Sequence, residues 1–312
     1  MRKLYINLFF QIISIILIIR ILFYGDVDFN KLSFLYSSKV IILLSLIITA
    51  QLLITFLFYL LLNLVSSRKN NFVLTSSFFL QGGIVNQVFP GLGFVFKYYK
   101  FKSESDIGIS EYGTAQSFWS LFIFTAYLFL AFILGYTRIL YYPIPLLIIS
   151  ILFVLIIILF FIFRKPILNR IKIFLMRFKT IENLLNELKI IKDKIQDNII
   201  YLLTIFFGFV LLGILQCFNF YTGLTFFGAE LSFMSSNYIY ISSSLTSFLT
   251  LINFFGLFEL ILYVSTSIFV PSLKDIVVFA FAYRLISIIS SFIIIILFSI
   301  LRLIIKFKKI YQ

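Results

Sequence analysis

Histidine is absent from the 312 residues. That removes the commonest general base near neutral pH and a leading transition-metal ligand. The single cysteine, Cys217, sits inside an apolar run, so the chain holds no disulfide framework of its own. Charge is also scarce. Only 12% of residues are Asp, Glu, Lys or Arg, about half the roughly 25% of a soluble domain. Acids are scarcest, with 12 Asp and Glu against 26 Lys and Arg and a net charge of +14. So few charges cannot cover a globule of this size. What fills the sequence is 62% hydrophobic residues, 20% aromatics and 43 Phe, with a mean hydropathy of +1.12. That composition specifies an all-α polytopic membrane protein, read as one transmembrane domain over 1–312.

The basic excess is not read as a nucleic-acid footprint. It sits in short loops between apolar segments, where it follows the positive-inside bias and faces anionic headgroups. A spanning helix needs about 20 apolar residues. By that measure six full spans are expected: 5–24, 40–64, 114–136, 144–163, 199–220 and 276–301. The first follows Arg2 and Lys3 like a signal peptide, but no small-residue cleavage site comes after it, so it is read as a retained span.

Two further apolar segments are interrupted. Residues 72–96 contain Gly82, Gly83, Asn86, Gln87, Pro90, Gly91 and Gly93, and basic residues flank them at Arg68, Lys69, Lys97, Lys100 and Lys102. Residues 240–270 are interrupted around Asn253 and Gly256. Broken backbone at membrane depth survives where protein or a water-filled cavity covers it, and in transporters it marks the substrate site. If 72–96 enters and leaves by one face and 240–270 does so from the opposite face, twenty of the 26 basic residues fall on one side. The expected topology is therefore six spans plus two opposed re-entrant hairpins, eight hydrophobic segments in all, with both termini in the cytoplasm. FPGLGFV (89–95) and FFGLFEL (254–260) share a Phe-x-Gly-Leu frame, which is either coincidence or the trace of an inverted repeat. Residues 164–198 read as a cytoplasmic amphipathic connector, with Ile181, Leu184, Leu185, Leu188, Ile191 and Ile195 at helical spacing.

Some residues in these segments carry chemistry. Glu259 is an acid within an apolar stretch, and an intramembrane ionisable group marks a functional site unless it is a structural ion pair. Arg284 in the last span is its natural partner, suited to a headgroup phosphate. Lys97 either meets lipid phosphates or anchors the segment at the interface. Asn86 either contacts substrate or satisfies backbone groups freed by Pro90. Gly82, Gly83, Pro90, Gly91, Gly93 and Gly256 are read as hairpin residues that allow tight turns and close packing.

These segments resemble the flippase-like transmembrane region of bacterial lysylphosphatidylglycerol synthases over most of 40–300. Asn86, Pro90, Gly91 and Gly93 match that family's first broken segment, with Lys97 at its downstream arginine and Phe94 at its glutamate. Gly256, Glu259, Tyr283 and Arg284 match its second segment and following helix. The family's Glu-Arg pair has no counterpart in SFWSLF (117–122). No synthase domain is expected after Gln312. The resemblance implies handling of anionic or lipid-linked headgroups at the cytoplasmic (inner) membrane, not aminoacyl transfer.

An enzymatic role is not expected. The acid pairs Asp26/Asp28 and Asp193/Asp197 lack the third carboxylate a divalent metal would need, and no cofactor or metal is implied. Neither a GxxxxGK[ST] loop nor a nucleophile elbow occurs. The expected function is translocation of a lipid headgroup. The alternatives are a non-transporting subunit that assists a glycosyltransferase or envelope-polysaccharide pathway, and a membrane-embedded transferase.

Overall fold

Apolar runs of 25 to 30 residues leave a chain few options in lipid, because only a helix satisfies every backbone group within its own segment. The computed structural model describes residues 33, 35–89, 92–136, 194, 197–249, 262–263, 266 and 276–310. They form seven helices and no strand. These are α1 (Lys39–Val65), α2 (Phe72–Val88), α3 (Leu92–Ser105), α4 (Ile109–Tyr136), α5 (Ile199–Phe226), α6 (Phe233–Leu249) and α7 (Ile276–Ile310). Four of them, α1, α4, α5 and α7, are long and apolar enough to cross a membrane. They correspond to four of the six expected spans. The other two, 5–24 and 144–163, lie outside the described residues, as does most of 164–198.

The outer faces of the four spanning helices are apolar too. On α5, Leu203, Phe207, Leu211, Ile214 and Phe218 are exposed, while Ile205, Phe209, Leu212, Phe220 and Leu224 are buried. A soluble helix would carry charge on its outer face, whereas lipid accepts this one.

Helix directions follow from the pairs that touch. Phe122 of α4 meets Phe206 and Phe209 of α5, and further along Tyr127 meets Gln216, so α4 and α5 run parallel. Against α5, α1 is antiparallel: Asn219 donates to Leu46 O, while Gly208 faces Leu57. Two packed clusters result. One gathers Phe58, Leu61, Phe79, Phe101, Tyr112 and Phe209 at one end of the bundle. The other gathers Leu43, Tyr127, Phe220, Tyr240 and Phe279 towards the opposite end.

Charge collects at the first of these ends. Arg68, after α1, pairs with Asp106, after α3, at 2.9 Å. Glu104 of α3 accepts from Arg302 of α7 at 3.0 Å, and Lys194, ahead of α5, donates to Ser66 O at 3.1 Å. The hydrogen bond from Lys102 (2.7 Å), with Arg68 adding to it, holds the Asp106 carboxyl below the usual carboxylate range. Asp106 has a φ of 52°, a left-handed turn that Asp tolerates better than most residues. Glu111 then fastens α4, accepting from Ser67 N at 2.8 Å and Gly108 N at 3.0 Å.

These pairs are solvent-exposed, so each contributes little. Arg302→Gln is expected to lower stability in detergent by under about 1 kcal/mol. The remaining salt dependence of unfolding should fall with it, measured as the change in Tm between low and high salt.

Candidate functional site

The interruption in 72–96 is narrower than the sequence suggests. α2 passes unbroken through Gly82, Gly83, Asn86 and Gln87, and regular helix stops only between Val88 and Leu92. Pro90 and Gly91 fall in that gap, outside the described residues. Asn71 starts α2 by accepting from Val73 N (2.9 Å) and Leu74 N (3.3 Å). Since Arg68 and Asp106 pair just beyond the two outer ends, α2 and α3 form a hairpin that leaves by the end it entered.

Two glycines let its arms touch. A Cβ on Gly93 would lie 2.2 Å from Gly82 O and 2.5 Å from Asn86 Cβ, and one on Gly82 would lie 2.1 Å from Lys97 Cγ. Asn86 thus packs its stem on the second arm. Gly83 differs: it is exposed, with nothing within 4 Å of where its Cβ would be, so close packing does not explain it.

α3 continues to Ser105, so Lys97, Lys100 and Lys102 belong to the hairpin's second arm rather than to a loop after it. They behave differently. Lys100 lies 3.7 Å from Glu104, and Lys102 is half exposed beside Asp106. Lys97 is 8% exposed. Its ammonium lies 4.6 Å from the ring centre of Phe79 (α2) and 5.8 Å from that of Trp119 (α4), and it donates to Gln116 Oε1 at 3.3 Å. The Tyr112 hydroxyl is 3.5 Å from the same oxygen. Among the described residues Lys97 forms no ion pair. Position 94 holds Phe, whose ring lies 5.1 Å from that of Tyr112. Among the described residues the buried indole N–H of Trp119 has no acceptor, and on α2 Ser76 Oγ and Gln87 Oε1 have no partner.

Of the two sequence readings of Lys97, interface anchoring requires a side chain reaching water, and this one does not. Desolvating an ammonium is costly unless neighbours compensate. Two aromatic faces and one amide oxygen do so here in part.

The structure does not bring all the expected site residues together. Arg284 is half-buried on α7, next to Tyr283, whose ring lies 5.7 Å from Phe279 and 6.1 Å from Phe220. Gly256 and Glu259 lie outside the described residues. Of the second interrupted segment, only α6, 262–263 and 266 are described. Sequence reasoning missed Phe79, Gln116, Trp119 and Tyr112 around Lys97. It also missed a polar knot near Tyr283, in which Tyr127 donates to Gln216 Oε1 with its hydroxyl 3.4 Å from that of Tyr240. Spacing offered one clue, since Gln116 and Trp119 are three apart and share a face of α4.

No family model, curated protein or solved structure matches the chain.

Proposed function

We propose that this chain is an integral membrane protein of flippase-like action, which moves the headgroup of an anionic or lipid-linked lipid across the cytoplasmic membrane while the tails stay in lipid. The observation that carries this reading is Lys97, an ammonium buried at the heart of a helical hairpin with no carboxylate beside it among the described residues. A cation in that position suits a passing anionic headgroup, and intramembrane ionisable groups mark such pathways. The hairpin's return to its own end agrees with a re-entrant segment. The full topology we propose has six spans and two opposed re-entrant hairpins, with the charged end and both termini in the cytoplasm. Arg284 and Glu259 would serve the second hairpin.

The test is reconstitution of the full chain into vesicles with a fluorescent anionic phospholipid, following its transfer between leaflets. Transfer should exceed that of protein-free vesicles and fall about tenfold or more in Lys97→Met, the scale of one charge-assisted hydrogen bond. Insertion should be unchanged. Transfer no faster than in protein-free vesicles would sink the proposal and favour the non-transporting subunit.

A further inference from the structure

Around Lys97 donors outnumber acceptors. An ammonium has three N–H groups. One points to Gln116 Oε1 at 3.3 Å, long for a charged donor, and the Tyr112 hydroxyl lies 3.5 Å from that oxygen and equally far from Phe94 O. The buried Trp119 N–H, in the ring that flanks the ammonium, has no acceptor among the described residues. The nearest acids in sequence are all engaged. Glu104 holds Lys100 and Arg302, Asp106 holds Lys102 and Arg68, and Glu111 holds two backbone N–H groups. Orphaned buried donors cost free energy, most of all charged ones. A small oxyanion relieves that cost by accepting from several donors at once. A cation cannot accept, and an uncharged alcohol accepts only through one oxygen, adds an O–H donor of its own and brings no charge to meet the ammonium.

We infer that Lys97 and Trp119 form a binding site for a phosphate-type oxyanion, with Gln116 turning its amide to suit the ligand. The inference deepens the proposed function and rests on its reading that the hairpin handles a headgroup. It assigns the ligand's chemistry, a phosphodiester or related oxyanion, and gives Trp119 a binding role.

Trp119 is the sole tryptophan of the chain, so tryptophan emission, excited at the red edge where the 18 tyrosines absorb little, reports on this site alone. The full chain in uncharged detergent is titrated with dihexanoyl phosphatidylglycerol, with dihexanoylglycerol and with inorganic phosphate. A saturable shift in emission is expected with the phospholipid and none with dihexanoylglycerol. Lys97→Met should weaken the response about 30-fold or more, on the scale of a lost charged hydrogen bond, and Lys97→Arg should retain it. A response to inorganic phosphate that competes with the phospholipid also supports the site and makes free phosphate a ligand. Phospholipid response alone makes the lipid headgroup the source. Equal responses to phospholipid and dihexanoylglycerol, no response to any probe, or an unchanged response in Lys97→Met would overturn the inference. The wild-type comparison decides the matter even if Lys97→Met fails to fold. Binding without transfer in vesicles would sink the proposed function and leave the oxyanion site standing, whereas transfer without this binding would do the reverse.

Discussion

Replacing Gly93 by Ala is expected to open the α2–α3 hairpin, while the same change at Gly83, ten residues earlier, is expected to be neutral or mildly stabilising. The contrast follows from what each new methyl would meet. At Gly93 it would sit 2.2 Å from the Gly82 carbonyl oxygen, a backbone atom that no rotamer change can move aside. The arms must separate, and overpacking of this kind costs typically about 1–3 kcal/mol, or more where backbone must shift. At Gly83 the methyl meets nothing, and Ala is a better helix former than Gly by about 0.8–1 kcal/mol. Gly82→Ala should fall between them. Its first obstacle, Lys97 Cγ at 2.1 Å, is a flexible side chain, but Gly93 O at 2.9 Å is not. Urea or thermal unfolding in detergent measures the order, with Gly93→Ala lowest. The same series should scale with transfer in vesicles, because the displaced groups include the stem of Lys97. Equal stability of Gly93→Ala and Gly83→Ala would mean that the two arms do not touch.

The amount legible beforehand depended on the kind of signal. Helical membrane character and the positions of α1, α4, α5 and α7 follow from run length and hydropathy, since lipid imposes one solution on such runs. Charge pointed to a hairpin: Arg68 and Lys69 before and Lys97, Lys100 and Lys102 after flank the interrupted segment 72–96 in sequence, and the structure, which places the three lysines within the second arm, ties the hairpin's outer ends through Arg68 and Asp106. The extent of the interruption was not. Gly82, Gly83, Asn86 and Gln87 resemble breakers in sequence, but within α2 a glycine costs only about 1 kcal/mol, which contact between the arms offsets. The two glycines were indistinguishable because a neighbour 11 residues away, Gly93, makes the difference. The burial of Lys97 was also hidden. It follows from Phe79, Gln116 and Trp119, which three-dimensional packing alone brings together. The polar knot of Tyr127, Gln216 and Tyr240 joins residues about 90 to 110 positions apart, beyond any local pattern.

Phe58→Ala is expected to be the most damaging single truncation near the site, though Phe58 lies on α1, outside the hairpin. Its side chain is fully buried on α1. Its ring lies 4.7 Å from that of Phe79 on α2, 6.1 Å from that of Phe101 on α3 and 6.4 Å from that of Tyr112 on α4. One side chain therefore joins four helices. In lipid the hydrophobic effect adds little between helices, so association depends on close packing, and the loss here is chiefly that of the cavity left behind. Phe→Ala in a packed interior costs about 3–5 kcal/mol, and aromatic pairs add about 0.5–1.5 kcal/mol each. Phe58→Leu should cost less than half as much. Phe79 is also the face that holds the Lys97 ammonium at 4.6 Å. Losing its support should broaden the emission of Trp119 and weaken oxyanion binding before the protein unfolds. Chemical unfolding in detergent, followed alongside Trp119 emission, reads both effects in one experiment. An unfolding midpoint for Phe58→Ala equal to that of the parent chain would show that α1 does not support the hairpin.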